Sequence, residues 1–231
     1  MFDEAITLLI QSDTFAVIEF LDQQEEQLEV ATTYSELVKH LYWKEKNVPD
    51  MVALARAGIQ YALAAGYATF KQDLATTLLL RSKAKTIAYN LASYTWIGWD
   101  EPGISLHKRD QCYGLEAART NLRFAFELDK GDMRISRAYW MLGAQLLAAG
   151  ELAESKESFA KAATYAVRAK EKADELIARG FELLVDLLQE PAGLNTQVSL
   201  AEVKERLLHV EHGQMYTDQI DTAWRVFSPA H

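Results

Sequence analysis

Cysteine, proline and glycine are all scarce. The 231 residues hold one Cys, four Pro and eleven Gly. A lone cysteine, Cys112, excludes an internal disulfide framework, and its solitude fits a reducing compartment. Low Pro and Gly exclude a collagen and a flexible low-complexity chain. Long apolar runs are also missing. The nearest, Leu74 to Trp99, is interrupted by Arg81, Lys83 and Lys85, too many charges for a bilayer span of about 20 residues. Asp3 and Glu4 lie where a secretory leader carries positive charge. These features set the expectation of a cytoplasmic protein without a membrane segment.

Basic clustering is absent too. The net charge is −9. Residues 1–50 carry 11 acids and 3 bases, and residues 51–150 carry 12 bases and 8 acids. A phosphate-binding footprint needs Lys and Arg gathered on one face, so nucleic-acid binding is not indicated. The acidic N-terminal face, with Glu19, Asp22, Glu25, Glu26 and Glu29, reads as a solvated surface or as a docking strip for a basic partner. No glycine-rich phosphate loop, serine nucleophile elbow or HExxH motif occurs. The expectation is therefore a non-enzyme with no cofactor.

What is abundant is helix former. The chain has 33 Ala and 30 Leu, the two residues of strongest common helix propensity. Apolar residues recur at spacings of three and four almost throughout, the period of an amphipathic helix. About ten helices are expected, over 2–29 with a break near Ser12-Asp13, then 34–46, 50–65, 72–96, 110–128, 133–149, 151–190 with a break near Ala169–Ala173, 199–212 and 215–227. Thr33 with Glu36, and Ser199 with Glu202, have capping-box spacing. Pro49 suits the first turn of a helix. Gly66, Gly131 and Gly150 suit helix ends. Short loops make neighbouring helices antiparallel, and helical hairpins in series suggest repeats.

The segment Tyr139 to Ala162 carries the clearest repeat. Tyr139, Leu142, Gly143 and Leu146 line one helix face, Gly150 makes the turn, and Ser155, Phe159 and Ala162 line the returning helix. Small residues at Gly143 and Ser155 let two antiparallel helices approach closely, and Tyr139 and Phe159 fill the grooves beside them. This pattern resembles the tetratricopeptide repeat, a 34-residue helix-turn-helix unit. Ser155 stands for the usual Ala, and Val167 occupies the place of the late Pro. Weaker units follow around Ala173, Leu176 and Ile177. Others precede it, with Ala88, Leu91, Ala92 and Thr95 paired with Ala118, Leu122 and Ala125, and with Tyr34, Leu37, Val38 and Leu41 paired with Ala55, Ile59 and Ala62.

The resemblance implies an all-α, irregular helical-repeat array in one α-helical domain over 1–231. An acidic N-terminal helical cap would cover 1–32, repeat-like pairs 33–190 and C-terminal capping helices 198–231. It also implies a protein- or peptide-binding adaptor or scaffold whose groove is lined by the first helix of each pair. Carried over position by position, that lining is Lys39 and Tyr42; Tyr89, Ser93 and Trp96; Arg137, Trp140 and Ala144; and Asp174 and Phe181. Trp96 and Trp140 read as groove anchors or, as aromatics at helical spacing more often are, as core. The segment Trp96–Lys108 is either a functional excursion or a strap packed over the array.

Two other readings stay open. Glu205, His209 and His212 fall at i, i+4, i+7 and offer a weak candidate for a metal site, which makes a helical metal- or small-molecule-binding protein the first alternative. A self-associating regulatory module, a homodimer, is the second. Cys112 beside His107 and Asp110 reads as an inert thiol, because a nucleophile needs a base held by the fold.

Overall fold

The computed structural model describes residues 1–228, and among these the chain is all-α: eleven α-helices and one short 3-10 turn, with no strand. No helix among the described residues is long and apolar enough to cross a membrane. The chain divides into two compact units. The first comprises Met1–Thr95 with Gly103–Tyr113, the second Trp96–Pro102 with the chain from Gly114 onwards.

In the first unit, α1 (Phe2–Gln11) and α2 (Thr14–Asp22) are separated where Ser12-Asp13 suggested a break. Asp13 caps α2 by accepting from the Ala16 amide at 3.0 Å. Helix α3 (Gln27–Trp43) begins seven residues earlier than expected. Thr33 is buried within it and caps nothing; a Ser/Thr-x-x-Glu pattern signals a cap only where the chain is free to turn. Helix α4 (Val48–Thr69) opens on Asn47, whose side chain accepts from the Asp50 amide, with Pro49 in the first turn. It runs past Gly66, whose carbonyl instead accepts the Thr77 hydroxyl of α5 (Leu74–Tyr94) at 3.2 Å. Asp73 caps α5 by accepting from the Thr76 amide. Helices α3, α4 and α5 pack together over small residues, with Ala31, Ala62, Ala65, Leu80 and Ala84 forming one continuous apolar cluster.

Helix α6 (Lys108–Glu127) supplies residues to both units. Its start is secured by Asp110, a buried carboxylate that accepts the His107 amide at 2.9 Å. This is the returning half of a capping box, in which an acid three residues in satisfies an otherwise unpaired N–H.

The second unit contains α7 (Asp132–Ala149), α8 (Leu152–Ala169), α9 (Lys172–Gln189), α10 (Leu194–Leu208) and α11 (Gly213–Phe227). The expected break in the long 151–190 stretch falls at Lys170, a left-handed residue. Ser199 lies inside α10, which opens instead on Gly193 with no side-chain cap. The repeat-like pair α7–α8 packs as its small residues require. Ser155 donates to the Gly143 carbonyl at 2.8 Å, and Ser136 donates to the Ala162 carbonyl at 2.8 Å. A Cβ on Gly143 would lie 2.9 Å from the Phe159 ring, so only glycine admits this separation of the two backbones.

Candidate functional site

In the first unit α3 packs beside α5, and in the second α7 packs beside α9; the faces between these helices differ. In the second unit the face between α7 and α9 is filled by the chain itself. Trp140 from α7, Phe181 from α9 and Phe159 from α8 meet at centroid distances of 5.1 to 6.1 Å. Over them lies the 3-10 turn η1 (Ile97–Trp99). Trp96 packs edge-on against Trp99 at 4.9 Å and against Trp140 at 5.6 Å, and it also touches Phe181 and Phe227. Arg225 of α11 holds the turn by donating to the Asp100 carboxylate at 2.7 Å.

This strap leaves little of the expected lining exposed there. Trp96 is 1% exposed, Trp140 9%, and Phe181 and Ala144 not at all. The two tryptophans are core, and the Trp96-to-Lys108 segment begins as packing. Gly98 permits it, since a Cβ there would sit 2.2 Å from the Trp96 ring. The cost is polar: the indole N–H groups of Trp96 and Trp140 are buried without an acceptor, about 1–3 kcal/mol each by the usual desolvation penalty. Burial of large aromatic area outweighs it. Arg137 and Asp174 remain at the rim, joined by three hydrogen bonds of 3.1–3.2 Å from guanidinium to carboxylate. A pair so arranged satisfies both charges internally.

In the first unit the corresponding face is open. Between α3 and α5 runs a furrow of about 390 Å³ lined by Thr32, Ser35, Glu36 and Lys39 from one helix and Leu79, Ser82, Lys83 and Thr86 from the other. Four hydroxyls and three charged groups thus converge on it. The Thr32 and Thr86 hydroxyls donate to carbonyls one turn back, Leu28 and Ser82, which leaves their oxygens able to accept. Lys39, Lys83 and Glu36 form no ion pair among the described residues. Of the residues expected to line this part of the groove, Lys39 is exposed in the furrow, while Tyr89 and Ser93 are half-buried. Tyr42 is buried, stacked on Tyr94 at 4.1 Å with the rings 7° from parallel. Lys83, Ser35 and Ser82 escaped the sequence reading. Ser35 sits one turn before Lys39, and Ser82 and Lys83 sit about two turns before Tyr89, the first position carried over on α5.

Glu205, His209 and His212 do not form a metal site. Helix α10 ends at Leu208, so the helical spacing stops before either histidine. His212 adopts a left-handed conformation at the start of α11. No group of three or more His, Cys, Asp or Glu side chains among the described residues is placed to hold a metal ion. Cys112 is exposed, and its neighbour Asp110 is engaged in the helix cap.

One perturbed group belongs to the first unit's core. Burial pushes the Tyr34 phenol well above its usual range, with the Asp22 carboxylate and Tyr61 adding to it. Its hydroxyl is buried without a hydrogen-bond partner.

Comparison with protein-family profiles, with curated proteins and with solved structures finds no match.

Proposed function

We propose that the protein is a non-enzymatic adaptor of tetratricopeptide-like construction, and that the α3–α5 furrow is where it takes a peptide segment of a protein partner. The observation that carries this reading is the furrow's unspent polarity. Lys39 and Lys83 face it without acidic partners, beside four hydroxyls, on the face that such arrays present to ligands. Two ammonium groups against the single Glu36 carboxylate give the furrow a net positive charge that favours an acidic segment, and the hydroxyl-lined walls accept and donate hydrogen bonds to an extended backbone. Rigid helices hold these groups in place before binding, which lowers the ordering cost of association.

Supporting the pairing scheme is the α7–α8 hairpin, where Gly143, Ser155 and Phe159 meet as the repeat pattern requires. The self-filled face of the second unit supports a division of labour in which that unit contributes rigidity.

The test is selection of binding peptides from a random displayed library, with the whole chain as bait. Enrichment of acidic sequences is expected. The double variant Lys39→Glu, Lys83→Glu, checked for helicity by circular dichroism, should lose them by at least about tenfold, since charge-assisted contacts carry on the order of 1.5–3 kcal/mol each. Retention by the folded variant would sink the assignment to the furrow.

A further inference from the structure

A second concavity, of about 700 Å³, opens among the end of α9, α10 and α11. Its volume falls in the range of small-molecule sites, about 300–1,000 Å³. The walls are apolar: Leu187 from α9, Leu200 and Leu208 from α10, and Ile220 and Trp224 from α11.

The polar groups in it have an uneven balance. Gln197 donates its amide to the Pro191 carbonyl, Gln214 donates to Asp218, and the Thr217 hydroxyl donates to the Gln214 carbonyl. Lys204 donates to both oxygens of Asp221, at 2.6 and 2.7 Å, which ties α10 to α11 across the cavity. Glu205 also lines it and forms no ion pair among the described residues. The hydroxyl therefore spends its proton elsewhere, and each side-chain amide spends one of its two N–H donors and keeps its oxygen as an acceptor. Two carboxylates face one ammonium, a local charge of −1.

We infer that this cavity takes a small organic cation with an apolar body, an aryl- or alkylammonium. Its charge lies against Glu205, and its hydrocarbon lies against the leucines and the Trp224 ring. Trp224 is suited to the task, because an indole face attracts an ammonium group that is partly removed from water. Charge complementarity selects the cation over an anion of equal size, since an anion would meet two carboxylates and acceptor oxygens. This site is independent of the furrow between α3 and α5.

The experiment uses the whole chain and two probes of similar ring size, benzyltriethylammonium and benzenesulfonate, followed by saturation-transfer NMR and by tryptophan fluorescence. The cation should bind saturably with a Kd of about 1 mM, the affinity expected of so small a ligand, and the sulfonate should not. Glu205→Gln should weaken the cation about fivefold, within the usual worth of one charged contact near a surface. Glu205→Lys should remove binding, and Lys39→Glu with Lys83→Glu should leave it unchanged. Because Glu205 is exposed, these variants keep the fold, which circular dichroism verifies. Failure of the cation to saturate below about 10 mM, equal binding of the sulfonate, or unchanged affinity in Glu205→Lys would each overturn the assignment. So would a concentration-dependent dimer in sedimentation that Leu208→Glu dissolves, because the cavity would then be a face for a second copy of the chain.

Discussion

The two units solve the same packing problem with different residues. Between α7 and α9 the second unit fills the space with Trp96, Trp99, Trp140 and Phe181. The first unit leaves a furrow of hydroxyls and lysines between α3 and α5 and buries its apolar surface on alanine and leucine behind it. An aromatic-filled face is rigid and closed. A face built on small residues brings helices close, and polar groups on its open side stay available to a ligand. The space between neighbouring helices is thus filled by aromatic side chains in one unit and left open with polar walls in the other, and the choice rests on a handful of side chains.

The largest effect that separates the two is loss of the strap. Trp96→Ala removes a fully buried indole that touches four other aromatic rings. A destabilisation of about 3–5 kcal/mol is expected, as for other buried aromatic truncations. It is read as a lowered urea midpoint with the slope unchanged. Lys39→Ala at the furrow should change the midpoint by no more than about 0.5 kcal/mol, as exposed substitutions do. If the two variants proved equally costly, the contrast between a structural face and an available one would collapse.

A smaller effect, of opposite sign, comes from the first unit's core. Tyr34→Phe deletes a hydroxyl that is buried without a partner. The ring and its contact with Tyr61 at 5.9 Å remain. A gain of about 1 kcal/mol is expected, since an unmet polar group costs about that much when buried. The pH dependence gives a second readout. The phenol is raised in the folded state, chiefly by burial and then by Asp22. The folded protein therefore keeps a proton that the unfolded chain releases above about pH 10. The stability tied to it is complete below that value and is lost as pH rises towards the folded pKa. Tyr34→Phe should flatten the alkaline arm of the stability profile.

Much of this contrast could be read from residue spacing, and part of it could not. Periodicity of three and four placed the helices, because burying one face of a helix demands that spacing whatever the partner. Gly143 and Ser155 were legible as a close approach, because only small residues permit one. The capping boxes at Thr33 and Ser199 were misread, since the same four-residue pattern occurs inside helices where backbone donors are already satisfied. The groove was the hardest element. Trp140 and Phe181 occupy groove positions by register, yet they are covered by a segment more than 40 residues upstream of Trp140. Sequence spacing along one helix cannot reveal what a distant segment lays over it. The signal that was available is the WIGW run itself. Two tryptophans in a four-residue stretch carry more apolar area than a loop can leave in water. The histidine site failed for a local reason, because α10 stops one residue before His209.

The smallest expected effect lies on the second unit's surface, at the start of α9. Glu175 accepts from Lys172 at 2.8 Å and from Arg179 at 2.9 Å, one turn apart on the same helix. Partial burial works to raise its pKa, but the hydrogen bonds and charges of the two bases outweigh that and hold it below the ordinary glutamate value. A carboxylate lowered in the folded state contributes stability above its unfolded pKa, and the contribution disappears as pH falls through the folded one. Its position in the first turn adds a favourable term with the helix dipole. Glu175→Gln should cost about 0.5 kcal/mol at pH 7, the worth of one or two such helical pairs. The gap between parent and variant should close on acidification below about pH 4, followed by urea midpoints at successive pH values. A gap that persists in acid would mean that Glu175 acts through packing. The surface of the second unit would then owe its stability to the same contacts as its core, and not to charge.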